Sequence, residues 1–128
     1  MPDHRLSDLQ HAVMQVLWEK TEATVADVHA ALYPERSLAP TTVATLLSRL
    51  EKRNLVGHRA DGRQFVYRSL VSEDAVRHSM VSELADLLFA GDVTELVSHL
   101  LDERDISEEN LAKVRAMIEE RTRGKDTE

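Results

Sequence analysis

The residue pattern changes from helical to alternating midway along the chain, and this change constrains the fold more than any other feature of the sequence. His58–Ala60 and Arg63–Arg68 alternate as strands do, and Asp61–Gly62 separates them. Asp-Gly is favoured in two-residue type I′ turns, whose central residues both need positive φ. The pattern predicts a β-hairpin that turns at Asp61–Gly62, with Phe65 and Tyr67 on one strand face as the core that anchors it.

Three short helices are predicted before the hairpin, because apolar residues recur there at helical spacing. A capping box begins each of the first two helices, Ser7 with Gln10 and Thr24 with Asp27. Pro40 suits the first position of the third helix, where its missing N–H costs nothing. The predicted helices run from Asp8 to Lys20, from Val25 to near Pro34, and from Pro40 to a left-handed stop at Asn54. Three short helices followed by a basic hairpin are the layout of a winged helix-turn-helix domain, which we assign to residues 1–71.

The remainder of the chain is predicted to form three further amphipathic helices. Gly91 closes the first, Asp92 caps the second and Ser107 begins the third. The polar tail from Glu119 onward is expected to fray. The fold class is therefore mainly α, a winged helix-turn-helix of three helices and a hairpin followed by a three-helix module at residues 72–128.

These C-terminal helices carry more apolar residues than so short a segment can bury alone. Segments below about 40–60 residues commonly need a partner or a covalent staple, and this chain has no cysteine. We predict that residues 72–128 form a homodimerisation module, and the alternative is that they pack onto the winged helix of their own chain. The predicted interface residues are Leu84, Leu88, Leu96, Val97, Leu100 and Leu101.

The third helix is the candidate recognition element for DNA. One side carries the apolar residues Val43, Leu46, Leu47 and Leu50, so the opposite side is left for solvent or a ligand. Short hydroxyl side chains let a helix approach a groove closely, and Arg reads guanine or clamps a phosphate. The predicted DNA-binding residues are Thr41, Thr42, Thr45, Ser48, Arg49 and Lys52 on this helix and Arg63 in the hairpin, with Arg59 and Arg68 placed to reach phosphates from the strands. The alternative is an ordinary polar helix surface.

The distribution of charge favours nucleic-acid binding, although the net charge of −7 does not. Residues 1–71 carry 9 basic and 8 acidic side chains, whereas residues 72–128 carry 7 basic and 15 acidic ones. Residues 49–68 alone contain six basic and two acidic side chains. A local basic excess on an acidic protein indicates a surface that faces a polyanion, and the alternative is a solvated charged surface.

Enzyme chemistry has little support in this sequence. It contains no Gly-rich phosphate loop, no G-x-S-x-G elbow and no H-E-x-x-H motif, so we expect neither catalytic residues nor a cofactor. Two sets of residues are spaced to face one side of a helix, Asp74/His78 and Glu95/His99/Glu103. Surface helix pairs explain such spacing more often than a metal does, so no metal site is expected. No signal peptide and no apolar stretch of about 20 residues are visible, and we expect a cytoplasmic protein.

Three motifs in order resemble the BlaI/MecI/CopY family of penicillinase repressors, over essentially the whole chain. They are Val13–Met14–Gln15–Val16–Leu17–Trp18, then Pro40–Thr41–Thr42–Val43 with Leu46, Arg49 and Leu50, and Gly62–Arg63–Gln64–Phe65–Val66–Tyr67. The resemblance implies a homodimeric winged-helix repressor that binds double-stranded DNA at dyad-symmetric operators. It also implies DNA contacts from Thr41, Thr42, Thr45 and Arg49 on the third helix and from Arg63 in the wing.

The chain departs from that family at positions that affect operator choice and induction. Thr41 and Ala44 stand where the family typically has Lys and Gln, so a different operator sequence is expected. Antibiotic-responsive members are cut by a membrane sensor protease at an Asn-Phe bond, where this chain has His99–Leu100. A different membrane protease, or a small ligand that acts on the dimer, is therefore expected instead. The Cys-x-Cys hook of the copper-responsive members is absent.

A function of another class fits the same elements. In that alternative the winged helix binds a partner protein and the acidic helices form the interface, without specific DNA binding. The two functions differ in their dependence on salt, because DNA binding weakens steeply as salt rises.

Overall fold

A computed structural model of the chain describes residues 4–103 and 105–126. The helices are α1 (Asp8–Lys20), α2 (Val25–Leu32), α3 (Pro40–Lys52), α4 (Glu73–Phe89), α5 (Val93–Glu103) and α6 (Glu108–Asp126). The strands β1 (Glu22–Thr24), β2 (Val56–Asp61) and β3 (Gln64–Ser69) form one antiparallel sheet in the order β1-β3-β2. Three helices followed by a hairpin confirm the winged helix-turn-helix fold. Within the described residues, no helix is long and apolar enough to cross a membrane.

The predicted signals at the helix ends are confirmed. The Ser7 hydroxyl accepts from the backbone N–H of Gln10 at 3.2 Å, and the Gln10 side chain accepts from the N–H of Ser7 at 3.0 Å. Thr24 and Asp27 make the same reciprocal pair, and these hydrogen bonds lower the pKa of the Asp27 carboxyl. Asn54 has a φ of +62°, which ends α3 in the left-handed conformation that the sequence indicated.

The hairpin of β2 and β3 turns one residue later than predicted. Asp61 pairs with Gln64, so Gly62 and Arg63 form the two-residue loop. Gly62 has a φ of +64°, whereas Asp61 and Arg63 have no positive φ. The predicted type I′ turn at Asp61–Gly62 is therefore wrong, and the signs of φ fit a type II′ turn with glycine first. The shift places Arg63 at the tip of this hairpin, which we call the wing.

Strand β1 lies on the other side of β3 and was not predicted. Ala23 pairs with Tyr67 and Thr24 pairs with Val66, so β1 attaches the start of α2 to the central strand. Three residues are too few to show an alternating pattern in a sequence. The sheet therefore has one strand more than the sequence indicated.

The core of the winged helix lies between α1, α2, α3 and one face of the sheet. The predicted apolar stripe of α3 is entirely buried: Val43, Leu46, Leu47 and Leu50. Tyr67 joins this core at 6% exposure, but Phe65 is 51% exposed, so its predicted place in the core is wrong. Phe65 pairs with Ala60 near the loop, in a stretch where residues 58–65 are all exposed.

Trp18 ties α1 to the segment between β3 and α4. Its indole Nε1–H lies 3.0 Å from the carbonyl oxygen of Val71 and 3.1 Å from Oγ of Ser69. A buried or half-buried indole N–H generally needs such an acceptor, and here it has two. The exit from the sheet is thus fixed to the first helix.

The chain divides into two compact units, Met1–Glu83 and Leu84–Glu128, and α4 contributes to both. The division into domains at residues 71 and 72 stays a prediction. Gly91 with a φ of +82° follows α4, and Asp92 Oδ1 accepts from the N–H of Glu95 at the start of α5, as the sequence indicated. In the second unit α6 is helical to Asp126, so the fraying expected from Glu119 is not observed in the described residues.

Candidate nucleic-acid interface

Helix α3 presents a polar face opposite its buried stripe. Its exposed residues include every residue that the sequence assigned to DNA on this helix: Thr41, Thr42, Thr45, Ser48, Arg49 and Lys52. These side chains are short hydroxyls toward the start of the helix and cations in its last turns. Such a face can approach the floor of a groove while its cations reach phosphates.

The hydroxyl of Thr45 has a defined hydrogen-bonding role. It donates to the carbonyl oxygen of Thr41 at 2.9 Å, one turn earlier on α3. A hydroxyl has one hydrogen to donate and two acceptor lone pairs, so Thr45 presents acceptor capacity and a methyl group to solvent. That combination matches amino groups and thymine methyls on base edges in a major groove.

Among the six cations between residues 49 and 68, four have no ion pair within the described residues: Arg49, Lys52, Arg63 and Arg68. Arg59 differs, because its guanidinium binds the carboxylate of Glu22 through Nε at 3.2 Å and Nη2 at 2.9 Å. The sequence suggested that Arg59 reaches a phosphate, but in this chain its guanidinium is paired with Glu22. Arg53 is also engaged, donating to the Gln10 side chain and to the backbone carbonyl of Arg5.

The tip of the wing and the start of α3 line the same groove. This groove has a volume of about 520 Å³ and also includes the N-terminal end of α2. Its lining residues are Thr24, Val25, Ala26, His29, Pro40, Arg63, Gln64 and Phe65. Arg63 and Pro40, the residue that precedes Thr41, therefore border the same groove.

A contact between Glu51 of α3 and His58 of the wing was not predicted from the sequence. His58 Nδ1 lies 2.6 Å from Glu51 Oε1, and the His58 ring lies 4.3 Å from the ring of Phe65 between centroids. Burial and, to a smaller extent, the negative charge of Glu51 raise the pKa of the Tyr67 hydroxyl. His58 pairs with the aromatic Tyr67 across the sheet, and such a cross-strand pair is a signal for the His58 side of this contact.

The candidate metal ligands whose side chains are described, Asp74, His78, Glu95 and His99, belong to no cluster suited to a metal ion. No group of three or more His, Asp or Glu side chains suited to a metal occurs among the described residues. The side chain of Glu103, one of the candidates, lies outside them. The ring of His99 instead contacts Phe89, with centroids 5.9 Å apart.

The residues predicted for dimerisation separate into two groups in the second unit. Five are between 39% and 63% exposed: Leu84, Leu88, Val97, Leu100 and Leu101. Leu96 differs, because it is only 8% exposed and has little surface left for a second copy. Among the described residues from Leu84 onward, Ala85 is the one other buried apolar residue. The second unit thus leaves most of its apolar side chains uncovered in a single chain.

The comparisons with known proteins agree with this site. A family profile described as penicillinase repressor matches residues 6–120. The transcriptional regulator BlaI of Mycobacterium tuberculosis is 40% identical over 119 residues, which cover 88% of this chain and 86% of the relative. The methicillin resistance regulatory protein MecI of Mammaliicoccus sciuri is 24% identical over 115 residues, covering 90% of this chain and 94% of that protein.

A solved structure supports the same relationship at the level of the winged helix. The solution structure of the DNA binding domain of the repressor BlaI matches with a TM-score of 0.51 and 31% identity, covering 57% of this chain and 90% of that domain. The family profile and the Mycobacterium relative extend the similarity to the C-terminal helices. The chain therefore belongs to the penicillinase repressor family and is a DNA-binding transcriptional repressor.

Proposed function

We propose that this chain is a non-enzymatic, homodimeric repressor of the cytoplasm that binds a dyad-symmetric operator. Helix α3 enters the major groove and the wing contacts the flanking backbone or minor groove. The observation that carries the proposal is the polar face of α3, whose hydroxyls and unpaired cations lie opposite a completely buried stripe. Occupancy of a promoter then blocks access of the polymerase.

On this surface the hydroxyls and the cations have different tasks. Lys52 and Arg63 contact phosphates, which gives affinity without sequence preference. Arg49 reads a base edge or clamps a phosphate from the last turn of α3. Thr41, Thr42, Thr45 and Ser48 lie close enough to the groove floor to distinguish bases, with Thr45 acting as an acceptor.

Dimerisation through the second unit is supported by its exposed leucines. Leu87 and Leu88 are 72% and 63% exposed, and α5 adds Val97, Leu100 and Leu101 to the apolar surface. Large apolar surfaces are rarely left in water by a soluble protein, and a second copy covers them symmetrically. A dimer also explains operator symmetry, since one winged helix contacts only one half-site.

Release of the operator requires a signal that acts on this dimer. His99 and Leu100 lie inside α5, so a protease that cuts there must first open a helical segment. We propose that the operator is released by a membrane protease with a different target bond, or by a small ligand that alters the dimer.

The test is selection of duplex DNA followed by a salt titration. The purified chain is used to enrich sequences from a random duplex pool, and the enriched duplex is titrated by fluorescence anisotropy at several salt concentrations. We expect a dyad-symmetric site with half-sites about 10 base pairs apart. We also expect the logarithm of the association constant to fall by about 0.9 for each phosphate contacted when the salt concentration rises tenfold. Failure to enrich any site, or affinity that does not change with salt, would instead favour a protein-interaction module.

A further inference from the structure

We propose that Glu51 and His58 are positioning residues that hold the wing, and with it Arg63, in place against α3. The inference rests on the proposed function, because it concerns the contact of Arg63 with DNA. It adds to that function a link between the recognition helix and the wing, made by two side chains that need not touch DNA themselves.

The first step of this link joins α3 to β2. Glu51 lies in the last turn of α3, and its Oε1 is 2.6 Å from Nδ1 of His58 on β2. An imidazole with hydrogen on Nδ1 donates to the carboxylate whether the ring is neutral or protonated. The two side chains are 37% and 31% exposed, so the bond lies at the edge of the protein where water only partly screens it.

The second step joins β2 to β3 through aromatic rings. The rings of His58 and Phe65 have centroids 4.3 Å apart and planes inclined by 31°, which is close to an offset stack. Phe65 contacts Tyr67 edge-on at 6.5 Å, and Tyr67 is 6% exposed. His58 therefore contacts both the aromatic residues of β3 and the carboxylate of Glu51 on α3.

The bond from Arg59 to Glu22 ties the outer part of the wing to β1, whereas the contact through His58 joins it to α3. Residues 58–65 are all exposed, so the hydrophobic core does not fix the direction of the loop. Phe65 follows Arg63 by two residues, and its half-exposed ring contacts the rings of His58 and Tyr67. Movement of the Phe65–His58 pair would therefore move the guanidinium of Arg63 relative to the face of α3.

A single pair of polar side chains at a surface contributes little to the stability of the fold. A stabilising role and a positioning role of Glu51 and His58 therefore predict different results when the pair is removed. If the pair only stabilised the fold, its removal would change the melting temperature slightly and leave the operator affinity of the folded protein unchanged. If it positions the wing, its removal should reduce affinity through Arg63 alone. The two roles are distinguishable by a double-mutant cycle.

The experiment measures operator affinity for the full chain and for the variants His58→Ala, Arg63→Ala and the double variant. We expect Arg63→Ala to weaken binding about tenfold, the scale of one charge-assisted contact, and His58→Ala to weaken it several-fold. The double variant should bind within about twofold of Arg63→Ala, because an unpositioned wing has already lost that contact. Multiplicative effects of the two substitutions would overturn the positioning role.

Conservative variants provide the matched controls. Glu51→Gln keeps an acceptor for His58 and should retain most of the affinity, whereas Glu51→Ala should behave as His58→Ala does. His78→Ala removes an exposed histidine of α4 that has no ring contact among the described residues, and its affinity should equal that of the wild type. Circular dichroism and melting curves identify any variant that fails to fold, and Glu51→Ala then replaces His58→Ala in the cycle.

The outcomes separate the two proposals. If Arg63→Ala and Arg49→Ala both bind as the wild type does, the proposed DNA surface is wrong and this inference falls with it. If both weaken binding but His58→Ala and Glu51→Ala leave affinity unchanged, the DNA surface stands and the positioning role is wrong.

Discussion

Arg59 of β2 reaches Glu22 of β1 across the central strand, with its Nε and Nη2 at 3.2 and 2.9 Å from one carboxylate oxygen. This contact connects the two outer strands of the sheet and neutralises one of the six cations between residues 49 and 68. The cations left for DNA are fewer than the sequence suggested, and Arg49 is the most central of them on α3. Its removal is therefore the sharpest test of the surface.

Replacement of Arg49 by Ala should weaken operator binding by about 1–3 kcal/mol without unfolding the protein. Arg49 is exposed and has no ion pair in the described part of the chain, whereas Leu46 and Leu50 on the opposite side are buried. Anisotropy titrations at fixed salt measure the affinity, and a melting curve checks the fold. Arg115→Ala, an exposed cation of α6, is the matched control and should bind as the wild type does. Equal affinities of the two variants would remove α3 from DNA recognition.

Substitution of Leu100 by Asp should convert a dimer into monomers. Leu100 is 46% exposed in one chain, and a carboxylate placed against the leucines of a second copy is strongly disfavoured. We expect the dimer dissociation constant to rise at least about 100-fold, and affinity for a full operator to fall with it. Sedimentation velocity at several protein concentrations measures the change.

Tyr33→Asp controls for the added charge at another exposed apolar position. Tyr33 is 56% exposed and lies in the first unit, so its substitution should leave the oligomeric state unchanged. A wild-type protein that sediments as a monomer at micromolar concentration would contradict the dimer proposal directly.

Gly62→Ala should destabilise the wing by about 1–2 kcal/mol, because a side chain at positive φ is strained. The φ of Gly62 is +64°, and no atom lies within 4 Å of a Cβ built there, so the backbone alone accounts for the cost. Gly62→Asn should cost less, since Asn is among the residues that occupy positive φ in such turns. Urea unfolding measures both variants, and equal stability of Gly62→Ala and the wild type would contradict the turn geometry.

Tyr67→Phe should remove a loss of stability that the wild type shows at alkaline pH. Burial, together with the charge of Glu51, raises the pKa of Tyr67 above its ordinary value of 10.0. Because the folded state holds this proton more tightly than the unfolded state, the contribution is complete below pH 10.0 and is lost as pH rises through the folded pKa. The variant should therefore gain on the wild type in urea unfolding as the pH rises above 10.0, whereas below that pH the difference between the two should stay constant. A difference in stability that does not change with pH would contradict this assignment.

A penicillin-sensor protease of the family should not cleave this chain at residue 99. His99–Leu100 replaces the Asn-Phe bond expected from the resemblance, and both residues are in α5. Co-expression with such a sensor, addition of a β-lactam and blotting for fragments tests the prediction. A pair of fragments divided at residue 99 would disprove it.

Elements whose signals are local could be read directly from the sequence. The capping pairs Ser7/Gln10 and Thr24/Asp27 involve residues three apart, and Pro40 needs only its own ring to mark a first turn. The apolar stripe of α3 was also predicted correctly, and the residues outside it form the exposed face. The candidate DNA surface followed from that face.

Features that depend on distant partners could not be read in this way. β1 exists because Ala23 meets Tyr67, more than forty residues later. The position of the turn is set by the register of β2 on β3, which moves by one residue without changing the composition of either strand. Whether Arg59 is paired depends on Glu22 of β1, and whether Phe65 is buried depends on which residues of the helices pack against its strand.

The anchoring of Trp18 also provides an optical probe of the chain. It is the single tryptophan of the sequence, and its indole N–H is bonded to Val71 and Ser69 at the exit from the sheet. Indole emission shifts to longer wavelength when the ring becomes hydrated. An inducer that loosens the start of α4 would therefore change the intrinsic fluorescence of the unlabelled protein, so candidate signals can be screened without DNA or a reporter gene.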